Sequence, residues 1–143
     1  MTGPRRTIVL AFVPSALGRE AARVARDQAA LTGARVVVVN TTRADRLVDL
    51  RWADEQQVAE VVALLRRGGV AHEVRHAADD RLAAEVVLDV AAEVGAALIV
   101  IGVRRRSPVG KLVLGSTAQR ILLDARCPVL AVPATPPDDA LPR

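Results

Sequence analysis

Aromatic side chains are nearly missing from this 143-residue sequence, which has one Phe, one Trp and no Tyr. Stacking platforms for single-stranded nucleic acid or for a flavin ring need more than Phe12 and Trp52, so both ligand classes are excluded. Cysteine is as scarce: Cys127 stands alone, which rules out an intrachain disulfide and fits a reducing cytoplasm. Lys111 is the only lysine among twenty Lys and Arg residues. This reflects the coding habit of a GC-rich bacterium rather than a nucleic-acid surface, despite a net charge of +4 and a pI near 10.8. No apolar run approaches the roughly 20 residues that span a bilayer, so no membrane segment is expected. Arg5-Arg6 ahead of Ile8 to Val13 faintly resembles a signal peptide, but the stretch is short and Arg19-Glu20 follow soon after. A cytoplasmic protein is the expectation.

What the chain does have is aliphatic residues in a regular alternation. Ile8 to Val13 is a continuous apolar run, as expected of a strand buried on both faces of a parallel sheet. Pro14-Ser15 breaks it, with Ser15 as a helix cap. Leu17, Ala21, Val24, Ala25 and Leu31 trace the buried stripe of a first helix that Gly33 stops. Val36 to Val39 is a second strand, and 41–53 reads as a loop or loose first turn. Val58, Val61, Val62 and Leu65 keep helical spacing, with Arg66-Arg67 at the negative end and Gly68-Gly69 after it. Val70, His72, Val74 and His76 alternate as a half-exposed strand near an edge. Asp79 or Asp80 caps a third helix carrying Leu82, Val86, Val90 and Val94, which Gly95 ends. Leu98 to Ile101 is the fourth strand. A polar glycine loop over 102–117 follows it, and then comes a helix marked by Ala118, Ile121, Leu122 and Ala125. That helix opens with the capping-box spacing Ser116…Gln119. Val129 to Val132 is the last strand. The pattern is a single doubly wound α/β domain of residues 1–133, and the Pro- and Asp-rich segment 134–143 reads as a disordered tail.

In such sheets ligands bind outside the carboxyl ends of the strands, here 11–15, 40–43, 77–80 and 102–117. Ala11, Phe12 and Val13 supply no acid, which excludes a phosphoacceptor receiver. The dinucleotide glycine fingerprint is absent after strand one. Gly110-Lys111 lacks the upstream glycine and the following hydroxyl of a P-loop, because Arg105 and Leu112 occupy those positions. His72 and His76, four apart on a strand, cannot easily share a metal. Cys127 follows a helix C-terminus, which does not lower a thiol pKa. No catalytic constellation and no metal site emerges.

The stretch GVRRRSPVGKLVLGST, residues 102–117, together with LLDARCPVLAV near the end, resembles the universal stress protein family. Nucleotide-binding members close strand four with Gly-x-x-Gly-x9-Gly-Ser/Thr. Gly102, Arg105 and Gly115-Ser116 fall on that spacing, with arginine in place of the middle glycine. The resemblance implies a five-stranded parallel sheet of order 3-2-1-4-5 between two helical layers. It also implies a non-enzymatic stress-response module that binds ATP or AMP, with Mg as an accompanying ion. The implied nucleotide-binding residues are Ala11, Phe12, Val13, Thr41, Ile101, Gly102, Arg105, Gly115, Ser116 and Thr117. Here Gly102 would turn the chain off the strand. Ser116 and Thr117 would offer N–H groups and hydroxyls to phosphate at a helix N-terminus. Val13 departs from the family, whose ATP-binding members usually carry aspartate there. If position 105 needed left-handed backbone, arginine would cost roughly 1–2 kcal/mol. The family further implies a homodimer paired through Val129–Val132. The alternative is a homodimeric interaction protein in which Val13 and Arg105 have ended nucleotide binding.

Overall fold

The computed structural model describes residues 5–13, 16–41, 48–76, 82–106, 111–113 and 115–134. Its elements are β1 Thr7–Phe12, α1 Ala16–Thr32, β2 Arg35–Asn40, α2 Val48–Arg67, β3 His72–His76, α3 Ala83–Val94, β4 Leu98–Arg106, β5 Lys111–Val113, α4 Ser116–Asp124 and β6 Val129–Ala134. Five of the strands are parallel and lie in the order β3-β2-β1-β4-β6. This is the 3-2-1-4-5 arrangement of a doubly wound sheet.

The apolar runs form the central strands because both faces are covered. Ile8, Leu10, Phe12, Val36 and Val38 pack with alanines of α1 and with Val58, Val61 and Leu65 of α2. Val9, Ala11, Val37, Val39, Ile99 and Ile101 pack with Val87 and Val90 of α3 and Ile121 of α4. Successive strand residues alternate between these two layers, as the pleat requires. β3 lies at the sheet edge with its residues half-buried or exposed, as its alternation predicts.

Several details differ from the sequence expectations. The segment 102–117 is largely not a loop. β4 runs on through Gly102 to Arg106, and β5 turns back antiparallel to it, pairing Arg104↔Val113, Arg105↔Leu112 and Arg106↔Lys111. Gly102 therefore does not turn the chain; it stays in the ladder opposite Val132. Arg105 is likewise in a strand, so the feared left-handed position does not arise. α2 starts at Val48, inside the stretch read as irregular.

Two of the expected caps are not formed. The residue capping α3 is Leu82, with no side-chain cap bond, while Asp79 and Asp80 lie outside the described residues together with Pro14 and Ser15. α4 is capped by Gly115 without a side-chain bond, so Ser116 is its first residue and the capping box is not formed. Leu31 is 82% exposed, because α1's buried stripe is centred on Ala21, Ala22, Ala25 and Ala29 instead. β6 continues past Val132 through Pro133 to Ala134, and residues 135–143 lie outside the described residues.

Candidate functional site

At the carboxyl ends of β1 and β4, α1's first turn and the start of α4 enclose a cavity of about 350 Å³. Its floor is Ala11 and Ile101, its sides are Val13, Val103, Ala118 and Ile121, and Leu17, Gly18, Thr41, Gly102, Gly115 and Thr117 complete the lining. The apolar lining follows from strand alternation. Ala11, Ile101 and Val103 sit on the α3/α4 face of the sheet, where the top of the layer is left unfilled.

Two glycines hold the walls close. A Cβ on Gly18 would lie 1.8 Å from the Val13 carbonyl oxygen, and one on Gly102 would lie 2.8 Å from that of Leu17. α1 can thus cross the ends of β1 and β4 only because both positions are bare. Gly115 differs: its backbone is ordinary extended (φ −69°, ψ 170°) and a Cβ there would meet nothing within 4 Å. The space beside it belongs to the cavity.

Polar groups are few and placed at opposite sides. Thr41 donates both its backbone N–H (3.2 Å) and its hydroxyl (3.0 Å) to the Phe12 carbonyl. Its Oγ1 therefore faces a ligand only as an acceptor. Across the cavity, the first bond of α4 runs from Gln119 N–H to the Gly115 carbonyl at 3.0 Å. The N–H groups of Ser116, Thr117 and Ala118 precede it and have no acceptor within the helix, which makes this end attractive to an anion.

Seven of the ten residues expected from sequence meet around this cavity: Ala11, Val13, Thr41, Ile101, Gly102, Gly115 and Thr117. Phe12 does not line it; the ring is fully buried in the opposite layer with Ile8 and Leu10, as an even-numbered residue of β1 must be. Ser116 is exposed at the rim and is not a lining residue. Arg105 pairs with Leu112 in the β4–β5 ladder and is not a lining residue. Sequence reasoning missed Leu17, Gly18, Val103, Ala118 and Ile121. Gly18, a glycine one turn into a helical pattern, was the available sign of a close approach.

His72 and His76 are four residues apart on β3, engaged with the Val70 carbonyl (2.9 Å) and Asn40 (3.3 Å) respectively. Among the described residues no group of three or more His, Cys, Asp or Glu could hold a metal ion. Cys127 lines a larger recess, about 570 Å³, between the ends of α3 and α4. Burial pushes its thiol pKa up, away from a reactive thiolate. No helix among the described residues is long and apolar enough to cross a membrane.

A doubly wound sheet with its crevice between the first and fourth strands defines an open α/β protein of the class that holds ligands at the strand ends. Comparison with known proteins narrows this. The sequence model described as "Universal stress protein family" matches residues 4–133, and the chain belongs to that family. It is 40% identical over 125 residues to a universal stress protein of Mycolicibacterium smegmatis, covering 87% of this chain and 95% of that one. A universal stress protein structure from Archaeoglobus fulgidus superposes with a TM-score of 0.75 at 28% identity, covering 91% of this chain and 99% of that chain. A structure of the universal stress protein from the same organism in complex with dAMP aligns with a TM-score of 0.69 at 23% identity, covering 90% and 98%. That second likeness shows the shared fold.

Proposed function

We propose that this protein is a non-enzymatic, adenine-nucleotide-responsive module of the bacterial stress response. The observation that carries the reading is the cavity itself. An apolar slot between the ends of β1 and β4 opens onto the N–H groups at the start of α4, which have no acceptor within the helix. The flat base fits the aliphatic walls of Ala11, Val13 and Ile101, with its exocyclic amine as donor to Thr41. The phosphates fit the Gly115–Thr117 end, where helix N–H groups and the macrodipole favour negative charge. The dAMP bound by the Archaeoglobus relative is the same class of ligand. ATP and AMP are the proposed ligands, with Mg accompanying the triphosphate.

Gly115→Val tests this cleanly. The backbone conformation suits any residue and the added side chain enters empty space, so the fold loses no more than a helix-cap preference of about 1 kcal/mol. Nucleotide binding, followed by thermal unfolding with saturating ATP or AMP, is expected to disappear. Retention of the full ligand-induced shift in Gly115→Val would place the ligand elsewhere.

A second feature supports self-association. β6 lies at the end of the sheet, hydrogen-bonded to β4 on one side, and carries the apolar run Val129–Val132. Unpaired edges of this kind are stabilised by a further strand, and the proposed partner is a second copy of the chain. Sedimentation equilibrium at micromolar concentration is expected to give twice the 15.2 kDa chain mass. A monomer throughout would remove this part of the reading.

A further inference from the structure

We propose that the groove between α1 and α2, on the sheet face away from the cavity's α4 wall, docks an acidic segment of a partner protein through one aliphatic side chain flanked by carboxylates. The alanine stripe that lets α1 pack closely on the strands also leaves its flank thin. Ala22 of α1 and Val61 and Leu64 of α2 therefore line a slot of about 280 Å³ rather than closing on each other. Ala22 and Val61 are buried and Leu64 is half-buried, so the apolar part is recessed. About one turn further along both helices the slot ends, where the stem of Arg26 lies over Gly68. A Cβ on that glycine would come within 3.0 Å of Arg26 Cγ and Cδ. The rim is basic: Arg19 and Arg23 stand one turn apart on α1, Arg67 comes from α2, and Glu60 is the one acid among the described lining residues. Arg23 is paired with Glu20 at 3.0 Å. Arg19 and Arg67 are exposed and have no hydrogen-bonded or ionic partner among the described residues.

The surroundings of these arginines select the class of partner. Glu20, Asp27 and Glu60 are interleaved with Arg19, Arg23 and Arg26 along the two helices, so a continuous phosphate backbone would meet like charge along its run. A bilayer is flat and takes up protruding apolar side chains. Here Val61 is 2% exposed, and none of the large apolar residues that do protrude, such as Leu31 and Leu123, lines the slot. A peptide segment meets both demands: one aliphatic side chain reaches down between the helices while carboxylates stay at the height of the rim. Arg19 and Arg23 are about 6 Å apart at their Cβ atoms, as residues one helical turn apart are. Carboxylates on successive turns of a helix, or on alternate residues of an extended chain, match that separation. Guanidinium groups hold carboxylates bidentately, and an apolar centre within an arginine-bearing rim is the general anatomy of a protein interface.

The test is fluorescence anisotropy of a labelled peptide, Glu-Glu-Leu repeated four times, titrated with the full chain at about 0.15 M salt, where long-range attraction is screened. Wild type is expected to bind it, and to bind the Glu-Glu-Ala repeat more weakly by about tenfold, since the methyl group leaves the slot unfilled. Arg19→Glu and Arg67→Glu are each expected to weaken binding of the Leu peptide by about tenfold or more. Arg126→Glu, the same charge change at an exposed position beyond α4, keeps wild-type affinity. Glutamate opposes the negative end of α2, so if Arg67→Glu unfolds at lower temperature, Arg67→Gln is read in its place and is expected to show a smaller loss in the same direction. No binding of the Leu peptide at about 1 mM overturns the proposal. Equal binding of the Ala peptide also overturns it, because the slot would then be unused. An equal loss in Arg126→Glu does so as well, as it would reflect only the general field of a basic protein. Sedimentation with phosphatidylserine–phosphatidylcholine vesicles that is lost in Arg19→Glu and Arg67→Glu would assign the groove to lipid and overturn the peptide reading.

Discussion

Gly18, Gly102 and Gly115 all border the cavity, but a methyl group added to each has a different consequence. At Gly18 it would overlap the Val13 carbonyl at 1.8 Å, so α1 would have to move off the end of β1. Gly18→Ala is expected to destabilise the fold by about 1–3 kcal/mol through overpacking, measured by urea unfolding. A neutral result would show that α1 approaches β1 less closely than the structure has it. Gly115→Val, in contrast, is expected to spare stability and remove binding. Val13 supplies a third residue-scale outcome. It is 46% exposed at the end of β1, so Val13→Asp buries no charge there. The new carboxylate can accept from the ligand's base or ribose, and ATP affinity is expected to rise by about tenfold. No gain would remove Val13 from the account of how this chain departs from its family.

The β3 edge illustrates electrostatics at the scale of one element. Arg75 donates to Glu73 (2.6 Å) and also pairs with Glu93, while Arg35 reaches Glu73 from β2 at 3.4 Å. The hydrogen bond from Arg75 is the main reason the Glu73 carboxyl is held below the ordinary value of 4.5, against a smaller opposing effect of desolvation. The Arg75 pKa is correspondingly raised, first by Glu73 and then by Glu93. A depressed folded-state pKa contributes stability that is fully present above the ordinary carboxylate value and is lost as pH falls through the folded value. Glu73→Gln is therefore expected to lower the unfolding temperature at pH 7 and to converge with wild type below about pH 4. The pair is only half-buried at the sheet edge, where solvent screens it, so the difference stays within about 1 kcal/mol. A constant difference down to pH 3 would assign the loss to packing rather than charge. Elements also show where local signals fail. The Ser116…Gln119 spacing invites a capping box, yet α4 begins one residue earlier than that motif requires, with Gly115 at the cap. Leu31 obeys helical spacing approximately but lies off a stripe that alanines fill, because close packing of α1 on the sheet leaves room only for methyl groups.

For the whole molecule, stability and ligand are linked. Ligand at 100 times its dissociation constant adds about 2.7 kcal/mol, a rise of roughly 5–10 °C in Tm at this size. That shift is the expected result with ATP, and its loss in Gly115→Val ties it to the cavity. Two aliphatic layers sharing one sheet carry the stability itself. Leu65→Ala, which empties a fully buried position between α2 and the sheet, is expected to cost about 2–5 kcal/mol in denaturant unfolding. The layered architecture was legible in the sequence for a specific reason. Strands buried on both faces need uninterrupted apolar runs, and Ile8–Phe12, Val36–Val39 and Leu98–Ile101 are such runs, each followed by a helical period. The edge position of β3 and the glycine spacing follow from period and motif, which are properties of neighbouring residues, while the strand order was implied by the family resemblance. The cavity is different, because its walls come from four elements and the residue after β2, which meet only once the sheet is wound. Leu17 and Gly18 enter through the packing of α1 across two strand ends, and Phe12 is excluded by the parity of β1. Local sequence offered no means of telling a glycine loop from a hairpin over 102–113, since pairing with β4 is a contact between segments. The chain alone thus determined which residues become strands, helices and a nucleotide-type motif. Tertiary structure decided which face of the sheet each of them occupies and which of them meet at the cavity, because both depend on pairing and packing between segments distant in the chain.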